Sequence, residues 1–470
     1  MEFKARKVLI DPSNPFQNDC LSRSGDVENL SLLLRNFTSP IVMSVNAPWG
    51  EGKTIFLEML HADLKLKGCK SVFFSAWETD FAHDPLLAFL GEINQEISNL
   101  IQGDSGKSEA WEKAKNAGIY ILKKGIPALV KLGTAGVIDA EKMLQDEASK
   151  LTESLSKDLI DEYLRSKDAI EDFKENIKKV IGAEEDSPEN LYIFVDELDR
   201  CRPTYAIEFL ERVKHLLDIK GLVFVLAMDK EQLSHSVKAI YGGDFESIGY
   251  LKRFIDIEYS LPASQLDNFI DKIYKTLGFD RFFESRKKYQ AFQCDYSHLK
   301  NVFKFIAKAK KYSLRDVEQL IARINLVIHS TNENTYIYPA LLAFLVSTKN
   351  SNKDLYLDYI NPKSTPGKMI EYLYSLTPRQ ERLESFECAL IEGFLLAAKD
   401  RDYESKLGGY LEIHKENIRN DECSKEQRSY SEIVVDITQR PVEFGQRVVL
   451  KSLVSRIELS EKFKFGDNES

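Results

Sequence analysis

Residues 46–54 read Asn-Ala-Pro-Trp-Gly-Glu-Gly-Lys-Thr, with a lysine and a hydroxyl directly behind two spaced glycines. That order suits a phosphate. Gly50 and Gly52 let successive N–H groups turn toward phosphate oxygens. Lys53 would reach the β- and γ-phosphates, and the Thr54 hydroxyl would take one coordination position of Mg²⁺. The usual pattern, G-x-x-x-x-G-K-[ST], has a glycine where this chain has Ala47. The residues that grip phosphate, 50–54, are intact, and alanine fails at position 47 only if the backbone needs positive φ. Nucleotide contacts are therefore expected from Ala47, Pro48, Trp49, Gly50, Glu51, Gly52, Lys53, Thr54 and Ile55.

A second group follows at 191–200, LYIFVDELDR, where an apolar run ends in two carboxylates. In enzymes that carry such a loop, the first carboxylate, here Asp196, holds Mg²⁺ and the second, here Glu197, polarises the attacking water. An acidic pair also marks where a buried strand meets solvent, so it is the loop upstream that turns the pair toward catalysis. Guanine readers carry N-K-x-D after a later strand. This chain has AMDKEQL there, which favours ATP.

These side chains need a frame of alternating elements. PIVMSV (40–45), KSVFFSAWETD (70–80), LYIFVDE (191–197), GLVFVLAMD (221–229) and IDIEYSLP (255–262) read as strands, several of them buried on both faces. Between them GKTIFLEMLHADLKLKG, TYAIEFLERVKHLLD and KEQLSHSVKAIYG read as helices, the first closed by Gly68. Strands alternating with helices imply an α/β fold with a parallel sheet and a ligand at the carboxyl ends of its strands. Ahead of the first strand, Val27, Leu30, Leu33 and Leu34 fall on one expected helical face. Residues 139–181 are dense in Glu, Lys and Asp, with Leu151, Leu155, Leu159 and Tyr163 at helical spacing, and read as long solvent-exposed helices. Beyond Pro262 the pattern is mostly helical to about 425, and the tail carries the short apolar runs EIVVDI and RVVLKSLV.

The chain has 470 residues, 43% of them hydrophobic and 29% charged, with a formal net charge of −10. The length implies more than one domain, and the acidic balance argues against a broadly basic nucleic-acid binder. Local basic pieces such as FKFIAKAKKYSLR (303–315) read as one solvated helix face. Cys20, Cys69, Cys201, Cys294, Cys388 and Cys423 lie far apart without metal-ligand spacing, as expected for free thiols in a reducing compartment. The N-terminal MEFKARKVLIDPSN has no signal-peptide core, so a cytoplasmic location is expected. Residues 117–138 are long enough to span a bilayer but include Lys123, Lys124 and Lys131, each costing about 3 kcal/mol at its centre. The apolar run at 335–348 is too short to span and has Pro339 where a helix would start, which makes it a core helix.

Taken together, NAPWGEGKT, VFFSAWETD, FVDELDRCRP, FVLAMDKEQL, GYLKRFIDIEYSLP and SLRDVEQLIARIN resemble, in order, the motifs of the KAP family of P-loop NTPases. That family is a branch of the additional-strand, catalytic-glutamate class near the STAND and AAA+ proteins. The resemblance covers about residues 15–330, with a gap. It implies a P-loop ATPase core, a helical lid, and an insertion between the two nucleotide motifs that crosses the membrane in some members. Where the family has paired aspartates, this chain has Asp196–Glu197.

By the same resemblance, Asp229 stands where related ATPases place a polar sensor of the γ-phosphate, although its position equally suits a helix N-cap. Arg315 matches a lid arginine that senses nucleotide. Arg253 stands where an arginine finger would come from a neighbouring subunit, with Lys252 and Arg200 as competitors. His215 reads as structural.

The expected organisation is a core in two parts, 1–99 and 189–262, separated by a charged helical insertion, 100–188. A helical lid, 263–335, and a mostly helical C-terminal region, 336–470, follow. The leading expectation is an Mg²⁺-dependent ATPase acting as a switch or motor, with a bacterial anti-phage role implied by resemblance alone. The alternatives are a nucleotide-dependent scaffold with little turnover and a nucleic-acid-stimulated ATPase. Homo-oligomer or partner-protein contacts are expected through the insertion and the C-terminal region. Membrane association would be through surface contact, without a span.

Overall fold

Five short runs rich in Val, Ile, Leu and Phe become five strands: β1 (Ile41–Asn46), β2 (Lys70–Ser75), β3 (Leu191–Asp196), β4 (Leu222–Met228) and β5 (Ile257–Ser260). They form one sheet in the order β2-β3-β4-β1-β5, and every neighbouring pair is parallel. The chain thus has the α/β P-loop-type core that its sequence implied, with β4 inserted between the loop-bearing β1 and the acidic β3. β3 and β4 are buried at every position, which accounts for their unbroken apolar sequences.

The computed structural model describes residues 8–37, 40–121, 153–182, 190–263, 265–399, 404–439 and 450–463. The chain divides into an α/β unit, Val8–Ala263, and a helical unit comprising Ser264–Ser470 with Met1–Lys7.

In the α/β unit the two-residue period of β4 supplies both cores. Val223, Val225 and Ala227 join β1 residues Met43 and Val45 under α1 (Ser24–Arg35) and α2 (Lys53–Leu66). Leu222, Phe224, Leu226 and Met228 face the other helices. Those are α3 (Pro85–Leu100), α4 (Ser105–Tyr120), α5 (Glu153–Ile181), α6 (Pro203–Leu216), α7 (Lys230–Tyr241) and α8 (Ser247–Leu251).

Two sequence expectations need correction. On α1 the buried positions are Val27, Leu30, Ser31 and Leu34, whereas Leu33 is 43% exposed. A 100° step per residue carries Leu33 off the face that Val27 and Leu34 share. Nor is α5 a purely solvated helix. Ala169, Phe173, Ile177, Val180 and Ile181 are buried in the same core as Ala110, Trp111 and Ala114 of α4. Gly118 of α4 is a close-approach point toward both α3 and α5, since a Cβ there would lie 2.9 Å from Leu90 Cδ1 of α3 and 3.6 Å from Phe173 of α5. Residues 122–152 lie outside the described residues, and with them Lys123, Lys124, Lys131, Leu151 and most of 117–138. Among the described residues no helix is long and apolar enough to cross a membrane.

The helical unit runs from α9 (Leu266–Thr276), α10 (Phe279–Arg286), α11 (Asp295–Ala309) and α12 (Leu314–His329) to α13 (Pro339–Ser351). It continues through α14 (Lys353–Ile360), α15 (Gly367–Ser375), α16 (Arg379–Glu384) and α17 (Phe386–Ala397) to α18 (Glu404–Arg419), α19 (Lys425–Gln439) and α20 (Leu450–Glu461). Helix continues into the tail, past residue 425. α13 starts at Pro339 and is buried from Pro339 to Lys349, the core helix its sequence implied.

Polar staples hold the helical unit together. The fully buried Arg286 donates to the carbonyls of Asn332, Glu333 and Thr335 at 3.3, 2.8 and 2.7 Å and faces Asp295 at 3.8 Å. Burial pushes Asp295 up to about 8, against the opposing charge of Arg286. Further along, Glu392 accepts hydrogen bonds from Tyr374, His414 and Tyr430, tying α15, α18 and α19 to α17. In the basic stretch of α11, Lys300 and Lys304 pair with Asp271 while Phe303 and Ile306 are buried, so it is an amphipathic helix.

His61 of α2 lies between Phe73 and Phe194, with ring centroids at 5.6 and 5.2 Å. Burial, helped by the nearby Lys65 charge, lowers its pKa to about 4 from an ordinary 6.5. The folded state therefore binds fewer protons than the unfolded state between these values. The His61 contribution to stability is complete above about pH 6.5 and falls as the pH drops toward 4. The raised carboxyls of Asp196 and Asp295 slope the opposite way over this range, so the His61 part is read as a difference: in urea melts the stability of the parent relative to His61→Phe should fall as the pH drops from about 6.5 to about 4.

Candidate functional site

Parallel pairing brings the ends of β1, β3 and β4 to one edge. Asn46 is level with Met228, and Val195 with Leu226, so the segments after residues 46, 196 and 228 open side by side. Ala47 extends the ladder by donating its N–H to Met228 O at 3.2 Å. Gly50 and Gly52 adopt φ 85° and 77°, where a side chain would be strained. Ala47 does not: among the described residues the non-glycine positive φ values belong to Ser22, Glu197, Lys311 and Tyr338. Its methyl group joins the core cluster of Val45, Phe56 and Leu57, so alanine fits where the pattern has glycine.

The loop is braced from outside the motif. Arg23, only 3% exposed, donates to Glu51 O at 2.9 Å and Gly52 O at 3.2 Å. With those two carbonyls held, the chain reverses at Gly52, the left-handed N-cap of α2. Nothing in the local pattern around Arg23 marked it, because its partners are nearly thirty residues away.

Lys53, the first residue of α2, is 8% exposed. Its ammonium donates to Ala47 O at 2.8 Å and Pro48 O at 3.4 Å, and lies 3.5 Å from Asp199 Oδ2. Asp199 is another residue the sequence reading did not assign. The same Oδ2 accepts the Trp49 indole N–H at 2.8 Å and the Asp229 backbone N–H at 2.6 Å. A third carboxylate within the quoted DELDR was the available signal. Only the turn Leu198–Arg200 brings it toward the loop.

Asp196 ends β3 and is 3% exposed. Burial pushes its carboxyl up to about 6; the Thr54 hydroxyl bond opposes this, and the Glu197 and Asp199 charges add to it. Its Oδ1 also accepts the Glu197 N–H at 2.8 Å. Glu197 has φ 61° and ψ 24°, a left-handed backbone that costs a residue with a side chain about 1–2 kcal/mol. Its Oε1 lies 2.7 Å from Arg200 Nη1, and its Oε2 accepts from Ser75 Oγ at 3.4 Å.

Asp229 caps α7: Oδ1 accepts the N–H groups of Glu231 and Gln232 at 3.1 and 3.2 Å. Its Oδ2 accepts the Trp49 backbone N–H at 3.2 Å, so the same residue caps a helix and anchors the loop.

Of the two expected arginines, one belongs to each unit. Arg253 is exposed ahead of β5, with its guanidinium 5.9 Å from the centroid of the Tyr250 ring. Asp256, three residues on, bonds with Val42 near the start of β1, which puts Arg253 at the opposite edge of the sheet from its own phosphate loop. Arg315 is an exposed first-turn residue of α12 in the helical unit, beside the capping box of Ser313 and Asp316.

Thr54 hydroxyl and the Asp196 carboxylate are hard oxygen donors already in contact, and three carboxylates within four positions leave excess negative charge beside them. This donor set fits Mg²⁺, which is commonly held by one or two side chains plus substrate phosphates. Among the described residues no three His, Cys, Asp or Glu side chains gather into a metal cage.

The model of the KAP family P-loop domain matches residues 23–332. No curated protein matches the chain. Among solved structures, that of the Aeropyrum pernix ORC2 protein (ADPNP–ADP complexes) aligns at 12% identity and TM-score 0.32, covering 93% of this chain and 95% of that one. The Aeropyrum pernix ORC1 protein in complex with DNA aligns at 10% identity and TM-score 0.30, covering 93% and 92%.

Arg23→Met removes the donors of two loop carbonyls without removing the buried stem. It should lower stability by about 2–3 kcal/mol in urea melts, the scale of hydrogen bonds made by a charged group. Arg23→Lys should recover only part of this, because an ammonium lacks the planar fork.

Proposed function

The chain belongs to the KAP family of P-loop NTPases, and on that footing we propose that it binds Mg²⁺-ATP at the loop 47–55 and hydrolyses it, using the cycle as a switch. The observation that carries this reading is the meeting, at one sheet edge, of Lys53, Thr54, Asp196 and Glu197.

In this reading the N–H groups around Gly50 and Gly52 and the amino end of α2 receive the phosphates. Lys53 exchanges the carbonyls of Ala47 and Pro48 for β- and γ-phosphate oxygens. Thr54 and Asp196 would hold the Mg²⁺, which would supply positive charge beside the transferring phosphate. Glu197 takes the proton of the attacking water. Asp229 transmits the state of the loop to α7 through its two carboxylate oxygens. Arg315 senses nucleotide from the helical unit. Arg253, remote from its own loop, serves a neighbouring copy of the chain if it acts as a finger.

Lys53→Ala should weaken ATP binding at least about a hundredfold by calorimetry, whereas Glu197→Gln should bind ATP as the parent does and lose about 10²–10⁴ in turnover. Equal ATP binding by the parent and Lys53→Ala would sink the proposal. So would equal turnover by the parent and Glu197→Gln.

A further inference from the structure

The two groups assigned the leading chemical roles, Lys53 and Glu197, are both engaged by the same short turn. Leu198–Arg200 forms a single 3-10 turn directly after the acidic pair. Asp199 faces the Lys53 ammonium at 3.5 Å, and Arg200 Nη1 lies 2.7 Å from Glu197 Oε1. With Ser75 on Oε2 at 3.4 Å, each oxygen of Glu197 carries a protein donor where a water would bind. Lys53 likewise has its charge answered within the protein, by two loop carbonyls and one carboxylate.

We propose that Asp199 and Arg200 are positioning residues that hold Lys53 and Glu197 in a resting arrangement, so that Leu198–Arg200 is a latch on nucleotide capture and on hydrolysis. The inference rests on the assignment of this site to ATP.

The two arms differ in strength. The Asp199 side chain is 2% exposed and that of Lys53 9%, so this contact lies away from water. An incoming phosphate must compete with it for the ammonium. The Arg200–Glu197 pair is more open, with side chains 37% and 21% exposed. Pairs of that kind shift an equilibrium by at most about fivefold. The second arm therefore opens easily, and whatever draws Arg200 away frees Glu197 for water.

Asp199 has a second duty that a test must separate. Its Oδ2 is also the acceptor for the Trp49 indole and the Asp229 N–H, so it shapes the loop as well as answering Lys53. Asp199→Asn keeps an acceptor oxygen of the same shape and removes the charge. Asp199→Ala removes both.

The experiment is calorimetric titration of the full chain with ATP in EDTA, so that Mg²⁺ does not enter, followed by steady-state turnover with Mg²⁺. Asp199→Asn should bind ATP on the order of tenfold more tightly than the parent, because a negative charge beside the phosphate site is gone. Asp199→Ala should lose that gain as the loop loosens. Arg200→Gln should leave the affinity within twofold and raise kcat by up to about fivefold with KM little changed.

A purely structural Asp199 would weaken binding in both variants, which overturns the first arm. Turnover that is unchanged or lower in Arg200→Gln overturns the second, a fall marking Arg200 as a helper in the reaction itself. If neither the parent nor any variant binds ATP, the assignment of the site fails and the latch fails with it. Parent-like binding with unresponsive variants refutes the latch alone.

Discussion

A lysine ammonium almost removed from water is the constraint around which the α/β unit is arranged. Lys53 is 8% exposed, and an unanswered charge there would cost several kcal/mol. The answer comes from the carbonyls of Ala47 and Pro48 and from the carboxylate of Asp199. Each of these has to be held in turn. Ala47 is held by its ladder bond to β4, the loop beyond it by Arg23, and Asp199 by its bonds to Trp49 and Asp229. The loop therefore keeps its shape through contacts from three segments far apart in the chain.

That arrangement needs the parallel sheet. Inserting β4 between β1 and β3 separates the loop strand from the acidic strand by one ribbon, and Asp199 and Asp229 bridge the gap at its end. An antiparallel β4 would have sent residue 229 to the opposite edge, leaving the loop without its Trp49 acceptor. The segment expected as an insertion contributes to the same frame, because α4 and the carboxyl half of α5 complete the apolar core on one face of the sheet. Along the described side chains of α5, Arg165, Lys167, Asp168, Glu171, Asp172 and Lys179 are exposed, while Phe173 and Ile177 carry the inward stripe.

The helical unit solves a different problem. Its cores are crossed by buried polar side chains, Arg286 among loop carbonyls, Lys349 against Glu458 and Glu461, and Glu392 under two tyrosines and a histidine. Such groups tolerate few alternative packings, since each misplacement strands a donor or acceptor away from water. Helices with similar apolar faces are thereby given fixed neighbours.

What the sequence determined by itself was local and periodic. Five apolar runs, the glycine–lysine–threonine spacing and the acidic strand end were sufficient for the parallel α/β core and the family. The same signals located the loop, because gripping phosphate needs residue types at fixed short spacing. The run at 339–349 was legible as a core helix for a similar reason. The sheet order, the roles of Arg23 and Asp199 in bracing the loop, the fit of Ala47 and the place of Arg253 at the far edge were decided by tertiary structure. The physical reason is range. A phosphate loop or a strand is specified by neighbours within a few residues. The partner of a buried charge is specified by which strand ends the sheet brings together, and this chain brings Arg23, Lys53, Asp199 and Asp229 together from across some two hundred residues.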